Sequence, residues 1–141
     1  MARVRVELPA IIGILGLLVA SNAAAQSYPV AGGPFDGTYG LVAAQNLNQT
    51  YVTRGGSTGF CQEQRPGPLM ISQGQAWYTG ASGRQIVGTI NPQGEMVLGL
   101  TAPGDGRPIQ VQVTGTVDAA GTARVHQRGN TCSYYFTWQR Q

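Results

Sequence analysis

The chain has 141 residues, enough for one domain with a sizeable core, and a net charge of +3 from nine basic and six acidic side chains. The basic residues are scattered singly, which excludes the concentrated electrostatic footprint that nucleic-acid binding requires. A composition with 21 Gly and only 11% charged residues would suit disorder, but the regular alternation after Leu69 argues against it.

The first 25 residues read as a targeting segment. Arg3 and Arg5 form a basic start, the apolar run Ile11-Ile12-Gly13-Ile14-Leu15-Gly16-Leu17-Leu18-Val19-Ala20 follows, and Ala23-Ala24-Ala25 supplies a small-residue cleavage site before Gln26. The run falls well short of the ~20 residues that a helical membrane span needs. No Cys follows it and no Arg pair precedes it, so general export is expected, to the periplasm or beyond, with no stable membrane span afterwards. Residues 26–34 are Gly- and Pro-rich and read as a flexible arm. Residues 35–141 read as a single β domain.

Within that domain, Asp36-Gly37 marks a turn and 38–42 the first strand, with Tyr39 and Leu41 on one face. Residues 43–68 are the longest irregular stretch, with a short strand possible at 49–53 around Tyr51. The segment Arg54-Gly55-Gly56-Ser57-Thr58-Gly59 is expected to hold no regular structure unaided, while Phe60 and Cys61 read as anchors. Residues 69–72 and 75–79 form a hairpin about Gly74. Trp77 and Tyr78 then point to opposite faces. Residues 80–83 turn the chain into strands at 84–90, 95–100, 108–117 and 122–127.

Here one phrase occurs twice. Gly88-Thr89-Ile90-Asn91-Pro92-Gln93-Gly94 is echoed by Gly115-Thr116-Val117-Asp118-Ala119-Ala120-Gly121. Each copy predicts a strand end, a type I turn opened by the Asn91 or Asp118 side-chain oxygen, and a glycine at positive φ. Val111, Val113, Gly115 and Val117 alternate with Gln112, Thr114 and Thr116, a half-buried antiparallel strand. The last strand, 132–139, sets Cys132, Tyr134, Phe136 and Trp138 on one face. Such a chain predicts an all-β antiparallel up-and-down meander of about eight strands. Its edges are removed by closing into a small barrel through the first and last strands; a two-sheet sandwich is the alternative.

Two cysteines in an exported chain predict a Cys61–Cys132 disulfide, with free or intermolecular thiols as the alternative. Closing so long a loop is worth roughly 4 kcal/mol on a chain-entropy account.

The opening Phe35-Asp36-Gly37-Thr38-Tyr39 and the closing Cys132 with its alternating aromatics resemble small exported β-rich proteins of Gram-negative bacteria that begin Phe-Asp-Gly-x-(Tyr/Trp). Gly37-Thr38-Tyr39 is also similar to the Gly-x-Trp opening of lipocalin and avidin-like barrels, with Tyr in place of Trp. The second resemblance implies an architecture and no ligand.

No arrangement for catalysis stands out. His126 is the only histidine and falls on the polar face of its strand, as expected of an exposed residue. One His and two bridged Cys are too few for a metal site. No serine sits in a nucleophile context, and the carboxylates fall in turns or at strand edges. Asn48-Gln49-Thr50 fits a glycosylation sequon. The expected function is therefore a non-catalytic binding or interaction domain of the cell envelope, without cofactor or metal. An inhibitor of a secreted hydrolase or protease, reaching its target with the 26–34 arm, is the alternative.

Binding is placed on loops carried by the rigid sheet. In an up-and-down meander alternate connections share an end, so the long loop 46–68, the turn 80–83 and the loop 101–107 should form a common rim. That rim would carry Tyr51, Arg54, Arg84 and Arg107, and it would suit a polar or anionic partner such as a carboxylate-bearing glycan or an acidic protein loop.

Overall fold

The computed structural model describes residues 33–141. The expected signal segment 1–25 and most of the expected arm lie outside the described residues. Eight antiparallel strands close into a barrel in the order β1 (Gly37–Asn46), β10 (Ser133–Arg140), β9 (Thr122–Arg128), β8 (Ile109–Val117), β7 (Glu95–Ala102), β6 (Gln85–Ile90), β5 (Gln75–Thr79) and β4 (Leu69–Ser72). A separate hairpin of β2 (Thr50–Val52) and β3 (Thr58–Phe60) projects from the connection between β1 and β4. The barrel expected from the alternation is thus present, and the sandwich is not.

The repeated phrase folds as its chemistry dictates. Asn91 Oδ1 accepts from the backbone N–H of Gln93 at 3.0 Å and of Glu95 at 2.9 Å, and Gly94 has φ 85°. Asp118 Oδ1 accepts from Thr122 N–H at 2.9 Å, and Gly121 has φ 81°.

Alternation fills the interior. Every second residue of β10 points inward, so Tyr134, Phe136 and Trp138 form a column, with ring centroids 5.8 and 5.7 Å apart. Tyr78 of β5 meets this column from across the barrel, 5.1 Å from Trp138 and 6.5 Å from Phe136. Such aromatic pairs contribute about 0.5–1.5 kcal/mol each beyond the area they bury. Aliphatic side chains from the other strands, among them Leu69, Ile86, Met96, Leu98, Val113 and Val125, complete the core.

Two inward positions are glycine for a steric reason. A Cβ on Gly88 would stand 1.9 Å from the Val97 carbonyl oxygen, and one on Gly115 would stand 2.3 Å from that of Arg124. The neighbouring strand therefore folds directly over each, and this bending curves the sheet enough to close.

The two ends of the barrel differ. At one end Phe35 packs against the core, Asp36 accepts from Gln73 N–H at 3.2 Å, and Arg140 reaches back to Tyr39 and to the Pro34 carbonyl. The turns at 73–74, 91–94 and 118–121 lie at this sealed end. The opposite end carries the 47–68 connection and the turns at 80–84, 103–108 and 129–132.

The 43–68 stretch needs correction. β1 continues through a bulge between Leu41 and Ala43 to Asn46, paired with β10 throughout. The short strand at 49–53 is present as β2, Thr50–Val52, in the side hairpin outside the barrel. The glycine-rich segment after it is ordered by a turn of the same kind as the repeated phrase. Ser57 N–H donates to Thr53 Oγ1 at 3.1 Å, Gly56 N–H donates to Thr53 O at 3.0 Å, and Gly56 has φ 81°.

Candidate functional site

The long connection is fastened to the open end of the barrel at several points. Cys61 and Cys132 form the expected disulfide, with their Cα atoms 5.7 Å apart. Asn48 sits beside it and uses both ends of its amide. Nδ2 donates to Thr131 O at 2.9 Å, and Oδ1 accepts from Ser133 N–H at 2.8 Å. The sequon asparagine is therefore a structural clamp. Further along, Tyr134 O–H donates to Gln62 O at 2.9 Å and Trp138 Nε1–H donates to Gly67 O at 3.0 Å. Two aromatics of the core column thus hold the returning chain from below.

Between this fastened chain and the mouth lies a cleft of about 560 Å³, within the roughly 300–1,000 Å³ range of small-molecule sites. Tyr51 and Phe60 of the hairpin form one side, Arg84 and its turn another, and Ile109 and Val111 of β8 a third. Gln127 and Tyr134 reach it from the barrel interior. Among the described residues, Arg84 is the one ionised side chain that lines the cleft, and no carboxylate lines it.

The hairpin's tyrosine is positioned by a small neighbour. Tyr51 pairs across the hairpin with Gly59, and a Cβ there would stand 2.2 Å from the tyrosine ring. The ring therefore lies directly over the glycine, which exposes its backbone to close contact and fixes the ring's position. Phe60 is 74% exposed and borders both the cleft and a side groove of about 490 Å³ beside the end of β1.

Gln127 is the buried polar residue of the interior, 5% exposed. Its amide Oε1 accepts from Tyr78 O–H at 2.5 Å, and its Nε2 donates to Gln64 Oε1 at 3.1 Å. Burial pushes the Tyr78 phenol well above its ordinary value, and burial also raises that of Tyr134. Both therefore remain neutral hydrogen-bond donors at physiological pH.

Of the four residues expected on a common rim, Tyr51 and Arg84 line the cleft. Arg54, in the turn of the side hairpin, and Arg107, in the loop between β7 and β8, are exposed at the same end of the barrel but do not line it. Sequence reasoning missed Gln64 and Gln127. For Gln127 a signal existed, since it shares parity with Ala123 and Val125 and so had to point inward.

His126 is half-buried, not exposed as its strand face suggested. Its ring stacks on Tyr135 at 5.5 Å and 4° on the outside of the barrel, and Nε2 is enclosed without a hydrogen-bond partner. Among the described residues no group of His, Cys, Asp and Glu could hold a metal ion, and no helix is long and apolar enough to cross a membrane. Comparison with protein-family models, with curated proteins and with solved structures finds no match for this chain.

Proposed function

We propose that this protein is a non-catalytic binding domain of the cell envelope that takes a polar ligand in the cleft at the open end of its barrel. One observation carries the reading: among the described residues, the lining of the cleft combines two aromatic rings, several side-chain amides and a single arginine, and includes no carboxylate. Such a lining supplies shape, stacking and hydrogen bonds, but no acid–base pair for catalysis. Export, expected from the first 25 residues, agrees with the disulfide that fastens the cleft.

The test is capture of envelope components by the immobilised oxidised protein and by variants. Ser82→Trp fills the cleft from an exposed turn, and Arg84→Glu reverses its charge. Both should abolish capture that the wild type shows. The double variant Arg54→Glu/Arg107→Glu should retain most of it. Equal capture by the Ser82→Trp protein would remove the cleft as the binding site.

A further inference from the structure

The ligand class follows from the hydrogen-bonding sign of the cleft, on the reading that the cleft is the binding site. Tyr78 is enclosed by Phe136 and Trp138, and its hydroxyl has Gln127 Oε1 as its hydrogen-bond partner. The phenol donates to the Gln127 carbonyl, which faces inward. The Gln127 NH2 then points toward the mouth and donates to Gln64 Oε1. Gln64 Oε1 accepts that bond, and its NH2 is left as a donor at the cleft. The relay thus runs from the buried phenol outward through two amides, and its exposed end carries a donor. Arg84 can only donate as well.

This part of the wall therefore offers the donors of Gln64 and Arg84 to an acceptor group. Around it stand two aromatic rings. Tyr51 is held over Gly59, and Phe60 bridges the cleft and the side groove, where Gln45 and Gln49 offer further amides and Glu63 an acceptor for sugar hydroxyls. The negative face of an aromatic ring attracts the polarised C–H bonds on a sugar face. The barrel strands are paired on both sides, and the free edges of the side hairpin are three residues long, so an extended peptide finds only a short run of strand edge to pair with.

We infer that the cleft binds an N-acylated glycan, with an acylamino carbonyl on the donors of Gln64 and Arg84, sugar faces on Tyr51 and Phe60, and the chain continuing over Phe60 into the side groove. The experiment is titration of the disulfide-bonded, isotope-labelled protein with three probes: chitotetraose, cellotetraose and the capped peptide Ac-Ala-Gly-Ala-Gly-NH2. The two sugars share a β-1,4 backbone and differ in the acetamido groups.

Chitotetraose should shift the Gln64 side-chain NH2 and the amides around Tyr51 and Phe60, and should bind at least ten-fold more tightly than cellotetraose. Gln64→Glu keeps an acceptor for Gln127 but removes the outward donor. It should weaken chitotetraose at least ten-fold while the melting temperature stays unchanged. Equal affinity for the two sugars, or an unaffected Gln64→Glu variant, overturns the inference. Cleft shifts with cellotetraose or the peptide alone overturn the acylated-glycan assignment but leave the cleft as a binding site. Silence from all three probes, with envelope capture still abolished by Ser82→Trp, has the same meaning. Silence together with capture that ignores Ser82→Trp removes both readings.

Discussion

Arg140 lies across the ring of Tyr39, its guanidinium carbon 5.3 Å from the centroid, while Nε and Nη2 donate to the phenolic oxygen at 3.0 and 2.7 Å. Tyr39 in turn donates to the Phe35 carbonyl. The penultimate residue is thereby locked to the first strand, which seals the end of the barrel opposite the cleft. Tyr39→Phe keeps the packing and removes both charge-assisted bonds. It should cost about 2 kcal/mol in urea unfolding, with no effect on ligand titration at the mouth.

Removing the disulfide separates two roles. Cys61→Ala/Cys132→Ala should lower stability by about 4 kcal/mol, since the bridge spans 71 positions. The barrel should still form, because Asn48, Tyr134 and Trp138 hold the long connection independently. Denaturation of oxidised and variant protein checks the magnitude. Thiol titration of native wild type should find no free cysteine.

Gly88→Ala tests the curvature of the sheet. The added methyl would collide with the Val97 carbonyl, which is backbone and cannot rotate away. A loss of about 3 kcal/mol or more is expected, or failure to fold. The same substitution at Gly55, which has open space around it, should be close to neutral.

Asp118 gives the pH dependence its sign. The Thr122 backbone N–H, and to a lesser extent the nearby Arg124, hold its carboxyl below its ordinary value. A depressed folded-state value means a contribution present above the unfolded Asp value and lost as pH falls through the folded one. Stability should therefore drop in acid below the ordinary Asp range, and Asp118→Asn, which keeps the turn's acceptor, should flatten that drop. Thermal melts across pH 2–6 on both proteins provide the comparison.

The barrel was legible because its strands are long and alternate cleanly. Val113, Val117, Phe136 and Trp138 declare an inside, and Asn91 and Asp118 declare their turns. The side hairpin was harder to read because its strands have three residues each, too few for a period to emerge. Its turn nevertheless carried the same spacing, with Thr53 three positions before Gly56. Gln64 was beyond sequence reasoning. It lies in a connection with no periodicity, and its role depends on Gln127 reaching it from a distant strand. Arg54 and Arg107 were correctly placed at the open end by counting connections, but that count fixes an end and not the surface a side chain lines.

The disulfide also has a mechanical consequence. Cys61 and Cys132 close a covalent ring that contains β4 to β9, leaving β1 and β10 as two tails that pair with each other from Tyr39↔Arg140 to Asn46↔Tyr134. Both tails exit at the sealed end, so tension applied between residues 37 and 140 loads the β1–β10 rungs there first, together with the rungs that tie β1 to β4 and β10 to β9, and opens them one after another toward the mouth. The tear stops at the bridge beside the cleft, and the six strands inside the ring cannot be drawn out by any pull on the tails. Under load, the molecule yields at its sealed end first and at its mouth last.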